Sequence, residues 1–134
     1  MTTDEQNTYK AEVYTEAIRY MDNAKEVLKK ANKMDLFFED PKYVKMACGT
    51  AYNAVLLALD GYFKLKGIPS KKGRKDITYY QSNVGKLDKK MLDYLNEAYQ
   101  MLHLVGYYDG SKNVKAIMSG FEFAYLIIDK IKSN

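Results

Sequence analysis

From Asp40 to Gly67 apolar residues crowd nearly every turn: Val44, Met46, Ala47, Cys48, Ala51, Tyr52, Val55, Leu56, Leu59, Tyr62, Phe63 and Leu65. The stretch opens with a helix-start signal. Asp40 can cap free N–H groups, and Pro41 suits the first helical position, where its missing N–H costs nothing. It closes with a stop signal, Gly67 for the left-handed C′ position and Pro69 two residues on. A helix apolar around most of its circumference belongs at the centre of a helical bundle. Lys45, Asn53, Asp60 and Lys64 interrupt the run, so the ~20 apolar residues of a membrane span are not there. Thr50, Asn53, Asp60 and Lys64 form one polar stripe, expected to face solvent with Asp60 and Lys64 paired four apart. Ala47, Ala51, Ala54, Ala58 and Gly61 form a stripe of small residues. Ala17, Ala24 and Ala31 recur upstream, and the two stripes are expected to face each other in a close antiparallel pair.

Upstream, Thr3-Asp-Glu-Gln6 has capping-box form. It predicts a helix to about Asn32 with Tyr14, Ala17, Ile18, Met21, Ala24, Leu28 and Ala31 inward. Lys33 to Glu39 is expected to be a connector that tucks Leu36-Phe37-Phe38 under the bundle end. Downstream, Ile68 to Asp76 is a flexible basic loop. Thr78-Tyr-Tyr-Gln81 predicts a short helix ending near Gly85. Asp88 caps another, ending at Gly106, with Leu92, Leu95, Ala98, Tyr99, Leu102 and Val105 inward. Gly106 to Gly110 reads as a turn, and Ser111 as the cap of a last helix running to about Lys132. That helix carries Val114, Ile117, Met118, Phe121, Ala124, Tyr125, Ile128 and Ile131 on its inner face. Phe123, Leu126 and Ile127 lie beyond the inner stripe, so the helix is either deeply packed or part of an oligomer interface. The expected fold is all-α: one domain spanning 1–134, an antiparallel four-helix bundle with an extra short helix before the third main helix.

Composition changes this picture little. The chain has 134 residues and a formal charge of +4, which permits an anionic partner without demanding one. A single cysteine forms no internal disulfide. The N-terminus, Met1-Thr-Thr-Asp-Glu-Gln, is acidic and polar, unlike a secretory leader, and a cytoplasmic location is expected.

The order and spacing of helices resemble the HEPN superfamily of bacterial helical bundles. The residues that carry the resemblance are the first helix, Tyr14-Thr-Glu-Ala-Ile-Arg-Tyr-Met-Asp-Asn-Ala-Lys-Glu-Val-Leu28, and the helix from Met46 to Gly67. The basic loop, the third helix, the tyrosine-containing turn and the final amphipathic helix complete it. Small stand-alone members are the nearest match in pattern. The resemblance implies a bundle that often dimerises and often works around nucleotides or RNA. Nuclease members carry an Arg and, a few positions on, a His near the last helix. Here the only histidine is His103, with no arginine in the preceding turns, so nuclease activity is not carried over.

The remaining candidates come from the residues themselves. Lys71, Lys72, Arg74 and Lys75 could engage phosphate by charge, although such a loop is more often simply solvated. Tyr79, Tyr80, Tyr107 and Tyr108 could stack on bases, the ordinary alternative being aromatic caps on the bundle ends. His103 lies among Met101, Leu102, Leu104 and Val105 and reads as a packed or edge histidine. Cys48 reads as a small inert hydrophobe. No metal or other cofactor is implied. The expected function is a non-catalytic binding module, for nucleotide or RNA, working as a homodimer. The alternative is a protein-interaction subunit, homodimeric or bound to a second protein, with no nucleic-acid role.

Overall fold

In the computed structural model, which describes residues 1–133, the apolar segment forms a long helix, α2 (Pro41–Leu65). The Asp40 carboxylate accepts from the Lys42 N–H. At the other end Gly67 takes φ +77°. The Ile68 N–H reaches the Phe63 carbonyl and the Gly67 N–H that of Lys64, the paired bonds of a Schellman stop. The first helix, α1 (Thr3–Lys29), is capped one residue earlier than the spacing suggested: Thr2 and Glu5 form the capping box. The helix also ends sooner, because Asn32 adopts φ +55° and breaks it.

α1 and α2 pack antiparallel, and Gly61 of the small-residue stripe lies where they meet. Ala17, Ala24, Ala31, Ala54 and Ala58 are buried. A Cβ on Gly61 would lie 2.6 Å from Val13 Cγ1, so the missing side chain lets the backbones close. The polar stripe behaves differently. Asp60 turns away from Lys64 and accepts from Lys75 Nζ at 3.1 Å and from the Tyr80 hydroxyl at 3.0 Å. The Lys64 ammonium lies over the Tyr9 ring, 4.8 Å from its centroid.

The connector is a hairpin. β1 (Lys33–Met34) pairs antiparallel with β2 (Phe37–Phe38), and Asp35 holds φ +58° at the turn. The expectation that its aromatics tuck under the bundle end holds for Phe38, which is buried. It fails for Leu36 and Phe37, which are 66% and 54% exposed. Backbone bonding explains this. The Phe38 N–H bonds to the Lys112 carbonyl and the Leu36 carbonyl accepts from the Val114 N–H, so strand alternation buries Phe38 and turns Phe37 outward.

Three further elements complete the chain: α3 (Ile77–Leu87), α4 (Lys89–Ala98) and α5 (Val114–Ser133). α3 is capped by Asp76, whose carboxylate accepts from the Tyr79 N–H, rather than by Thr78. α5 is capped by Asn113, which accepts from the Ala116 N–H, rather than by Ser111. α4 starts at Asp88 as expected. Burial works against the charged form of this carboxylate, but the Met91 N–H and Lys130 outweigh it and hold its pKa below the ordinary aspartate value. A group with a depressed folded pKa stabilises above its unfolded pKa, and that contribution is lost as pH falls through the folded value. Asp88→Ala should therefore cost about 1–2 kcal/mol at neutral pH. Its deficit should shrink below about pH 4, as urea titrations of both proteins along pH would record.

From Ala98 the chain does not continue as α-helix. Tyr99–Tyr108 is a π-helix, where an ordinary helix ending at Gly106 and then a turn from Gly106 to Gly110 were expected. Longer-range bonding persists at its exit, with the Asp109 N–H reaching the Leu104 carbonyl at 3.0 Å. A π-helix is wider than an α-helix and is mostly seen as a single turn. Ten residues of it fit here because glycines lie at its contacts with α2 and α5. A Cβ on Gly106 would lie 2.7 Å from Cys48 Cβ, and one on Gly120 2.7 Å from Leu102 Cδ2. α2 and α5 both run antiparallel to this segment. The core is formed by α1, α2, α4, the π-helix and α5, with Phe121, Met21, Leu59, Met91, Leu95, Leu102, Ile117 and Ile128 fully enclosed, and α3 adds Tyr80 and Val84. Ile127 is also fully buried, while Met118 of the expected inner face is 39% exposed. Among the described residues no helix is long and apolar enough to cross a membrane.

Candidate functional site

The widened π-helix leaves a cleft of about 530 Å³ between itself, α2 and the start of α3. α2 contributes Gly49, Tyr52, Asn53 and Leu56. The loop end and α3 contribute Arg74, Lys75, Asp76, Ile77 and Tyr80, and the π-helix contributes Tyr99, His103, Tyr107 and Tyr108. Gly49 makes room for this wall: a Cβ there would lie 3.0 Å from Tyr107 Cδ1.

His103 is the centre of the aromatic wall. Its ring stacks on Tyr99 at 5.2 Å and on Tyr107 at 5.8 Å, the latter with planes only 9° apart. Tyr52 lies 4.8 Å away, and Tyr108 meets it edge-on at 5.0 Å and 88°. An α-helix would bring the i+4 residue beside His103 and carry the i+5 residue around the barrel. The slower rotation of a π-helix keeps both Tyr107 and Tyr108 in reach. Burial holds the His103 imidazole below its ordinary pKa, so at neutral pH it is uncharged. Burial, reinforced by the neighbouring Tyr99, raises the Tyr52 phenol. Burial and the Asp60 carboxylate raise that of Tyr80. Both phenols are therefore neutral donors and acceptors.

The rim is basic on one side. Lys75 is tied to Asp60, which also takes the Tyr80 hydroxyl, so the end of the basic loop is pinned to α2. Arg74 is exposed and makes no ion pair among the described residues. The Asp76 carboxylate, occupied in capping α3, also lies on this rim.

A family model described as "Domain of unknown function (DUF5618)" matches residues 12–133. The chain belongs to the DUF5618 family. The matched span contains every residue of the cleft. Among solved structures, a protein of unknown function from Dyadobacter fermentans is similar to the DUF5618 chain at 45% identity and a TM-score of 0.85, covering 92% of this chain and 96% of that one. No curated protein matches.

Of the sequence candidates in this DUF5618 chain, Arg74, Lys75, Tyr80, Tyr107 and Tyr108 converge on the cleft. Lys71 does not: its ammonium sits over the Tyr79 ring at 5.6 Å. Lys72 is exposed and does not line the cleft, and Tyr79 packs edge-on against Phe63 and Tyr80. The candidate interface on α5 also divides. Ile127 is buried within the chain, so it cannot meet a partner. Phe123 is half-buried against Tyr94, and only Leu126, 43% exposed, faces outward. Sequence reasoning missed Tyr52, Tyr99, Asn53 and the central place of His103. The signal that could have found them is the four-residue spacing of Tyr99, His103 and Tyr107. Cys48 sits behind the wall, and burial pushes its thiol up to about 12, in keeping with an inert role. Among the described residues no three His, Cys, Asp or Glu side chains are grouped to hold a metal ion.

Proposed function

We propose that this DUF5618 protein is a non-catalytic module that binds a nucleotide or RNA in the cleft between α2, the π-helix and α3. The carrying observation is one wall of Tyr52, Tyr99, His103, Tyr107 and Tyr108 facing a rim that holds Arg74 and Lys75. Aromatic faces stack on any base, worth about 1–3 kcal/mol each, while guanidinium and ammonium groups hold phosphate. The cleft volume falls in the usual range for small-molecule sites. On this reading the chain is an HEPN-like antiparallel four-helix bundle of α1, α2, the α4–π column and α5, with α3 as the extra short helix. It acts in the cytoplasm as a homodimer. Binding of a fluorescent-labelled mixed RNA pool tests the ligand. Arg74→Gln with Lys75→Gln should weaken it at least about tenfold, and raising salt should weaken the unaltered chain. Binding that ignores both changes would remove the cleft from consideration.

A second reading, a protein-interaction subunit without a nucleic-acid role, is favoured by one observation. Met34, Leu36 and Phe37 project from the hairpin, each more than half exposed. Three large apolar residues at one tip are costly to leave in water. Light scattering separates the readings. A dimer that persists in high salt, dissociates on Leu36→Ser with Phe37→Ser and gains no mass with the RNA pool would support the second, and a species that gains mass with RNA at low salt and loses it at high salt would count against it.

A further inference from the structure

On the reading that the cleft takes a nucleotide, we infer that its ligand is one mononucleotide unit, one base and one phosphate, and not an extended strand. Ring geometry limits the bases. A base inserted between two rings needs them about 7 Å apart, twice the van der Waals spacing. The Tyr99–His103 and His103–Tyr107 centroids are 5.2 and 5.8 Å apart, so the column is already closed. What remains open is the corner made by Tyr107 and Tyr108. Their rings stand at 80° with centroids 5.5 Å apart, and they are 46% and 63% exposed. Two perpendicular faces accept one base, flat on one ring and edge to the other. A run of stacked bases would need successive parallel platforms. Asn53, which also lines the cleft, offers amide donors and a carbonyl acceptor to that base.

Charge sets the same limit on phosphates. The rim's two cations are matched by two carboxylates, Asp60 beneath Lys75 and Asp76 beside it. Of these two cations Arg74 has no ion pair among the described residues, and its planar fork suits one phosphate. Of the cations that could have extended a track, Lys64 lies over Tyr9, Lys66 over Tyr62 and Lys71 over Tyr79, and Lys72 stands outside the cleft.

The test is calorimetry of the full chain at pH 7.5 with each of the four ribonucleoside 5′-monophosphates, and separately with a mixed-sequence ribo-octamer, at 50 and 200 mM salt. At least one monophosphate should bind one per chain, with affinity falling by no more than about threefold across that salt step, since a single ion pair is weakened by screening alone. The octamer should bind no more than about tenfold tighter, the statistical gain of its repeated units. Arg74→Gln should abolish binding, and Lys71→Gln with Lys72→Gln should leave it unchanged. An octamer at least 100-fold tighter, weakening about 50-fold across the same step as about four phosphate contacts imply, would overturn the single-unit inference and leave the nucleic-acid reading standing. If neither ligand binds, both fall.

Discussion

Gly106→Val should destabilise the protein by about 3 kcal/mol, near the upper end for overpacking a core. In a chain of this length that corresponds to a fall of roughly 10 °C in melting temperature. The π-helix meets α2 at this glycine, where any Cβ would press on Cys48 Sγ and lie 2.7 Å from Cys48 Cβ and 3.1 Å from the Met101 carbonyl oxygen. The thiol can rotate, but the Cys48 Cβ is fixed to its helix and the carbonyl is backbone. The loss outweighs the roughly 1 kcal/mol that replacing a helical glycine usually returns. A double-mutant cycle checks the cause. Cys48→Gly in the Gly106→Val background should recover more than 1 kcal/mol, whereas Cys48→Ala, which keeps the offending Cβ, should recover less. Thiol labelling gives a second readout. The Cys48 thiol is buried and its pKa is raised to about 12, so it should react slowly in the native protein and faster in Gly106→Val. Unchanged melting and labelling would show that the contact between the two segments is looser than the geometry indicates.

Tyr107→Ala combined with Tyr108→Ala should weaken nucleotide or RNA binding by about 10- to 100-fold, the loss of one stacked base. Tyr108 is 63% exposed and Tyr107 46%, the latter stacked on His103, so stability should fall by no more than about 1–2 kcal/mol. That separation gives the test its force, because a folded protein that no longer binds locates the ligand on this corner. Fluorescence anisotropy with the labelled RNA pool, alongside urea unfolding, measures both quantities. Equal binding by the double variant would move the ligand away from the π-helix.

The helices and their central member were legible in the chain because they rest on local signals. Asp40-Pro41 and Gly67 mark the limits of α2 through backbone chemistry that does not depend on distant residues. The apolar period of α1 and α5 survives folding, since a buried stripe keeps its phase along a regular helix. Capping was read correctly at Asp88 and a residue or two out at Thr2, Asp76 and Asn113. Several Ser, Thr, Asp and Asn side chains compete at each of those ends, and the geometry of the approaching chain chooses among them.

The candidate site was legible only in fragments. Arg74, Lys75, Tyr80, Tyr107 and Tyr108 were visible as basic or aromatic residues near loops. Which of them would meet depended on α2 passing between, and on Asp60 drawing Lys75 and Tyr80 inward instead of pairing with Lys64. His103 read as a packed histidine because its chain neighbours Met101, Leu102, Leu104 and Val105 are apolar, whereas the rings it meets, Tyr99 and Tyr107, lie four residues away on either side.

By itself the sequence determined a predominantly helical protein, the position of its central helix and the small-residue contact between α1 and α2. Each follows from propensity, periodicity or the absence of a Cβ. Only the tertiary structure decided that residues 99–108 would widen into a π-helix. Its i→i+5 bonds leave no compositional trace, and it fits only because Gly106 faces Cys48, Gly120 faces Leu102 and Gly49 faces Tyr107 across chain separations that no local pattern encodes.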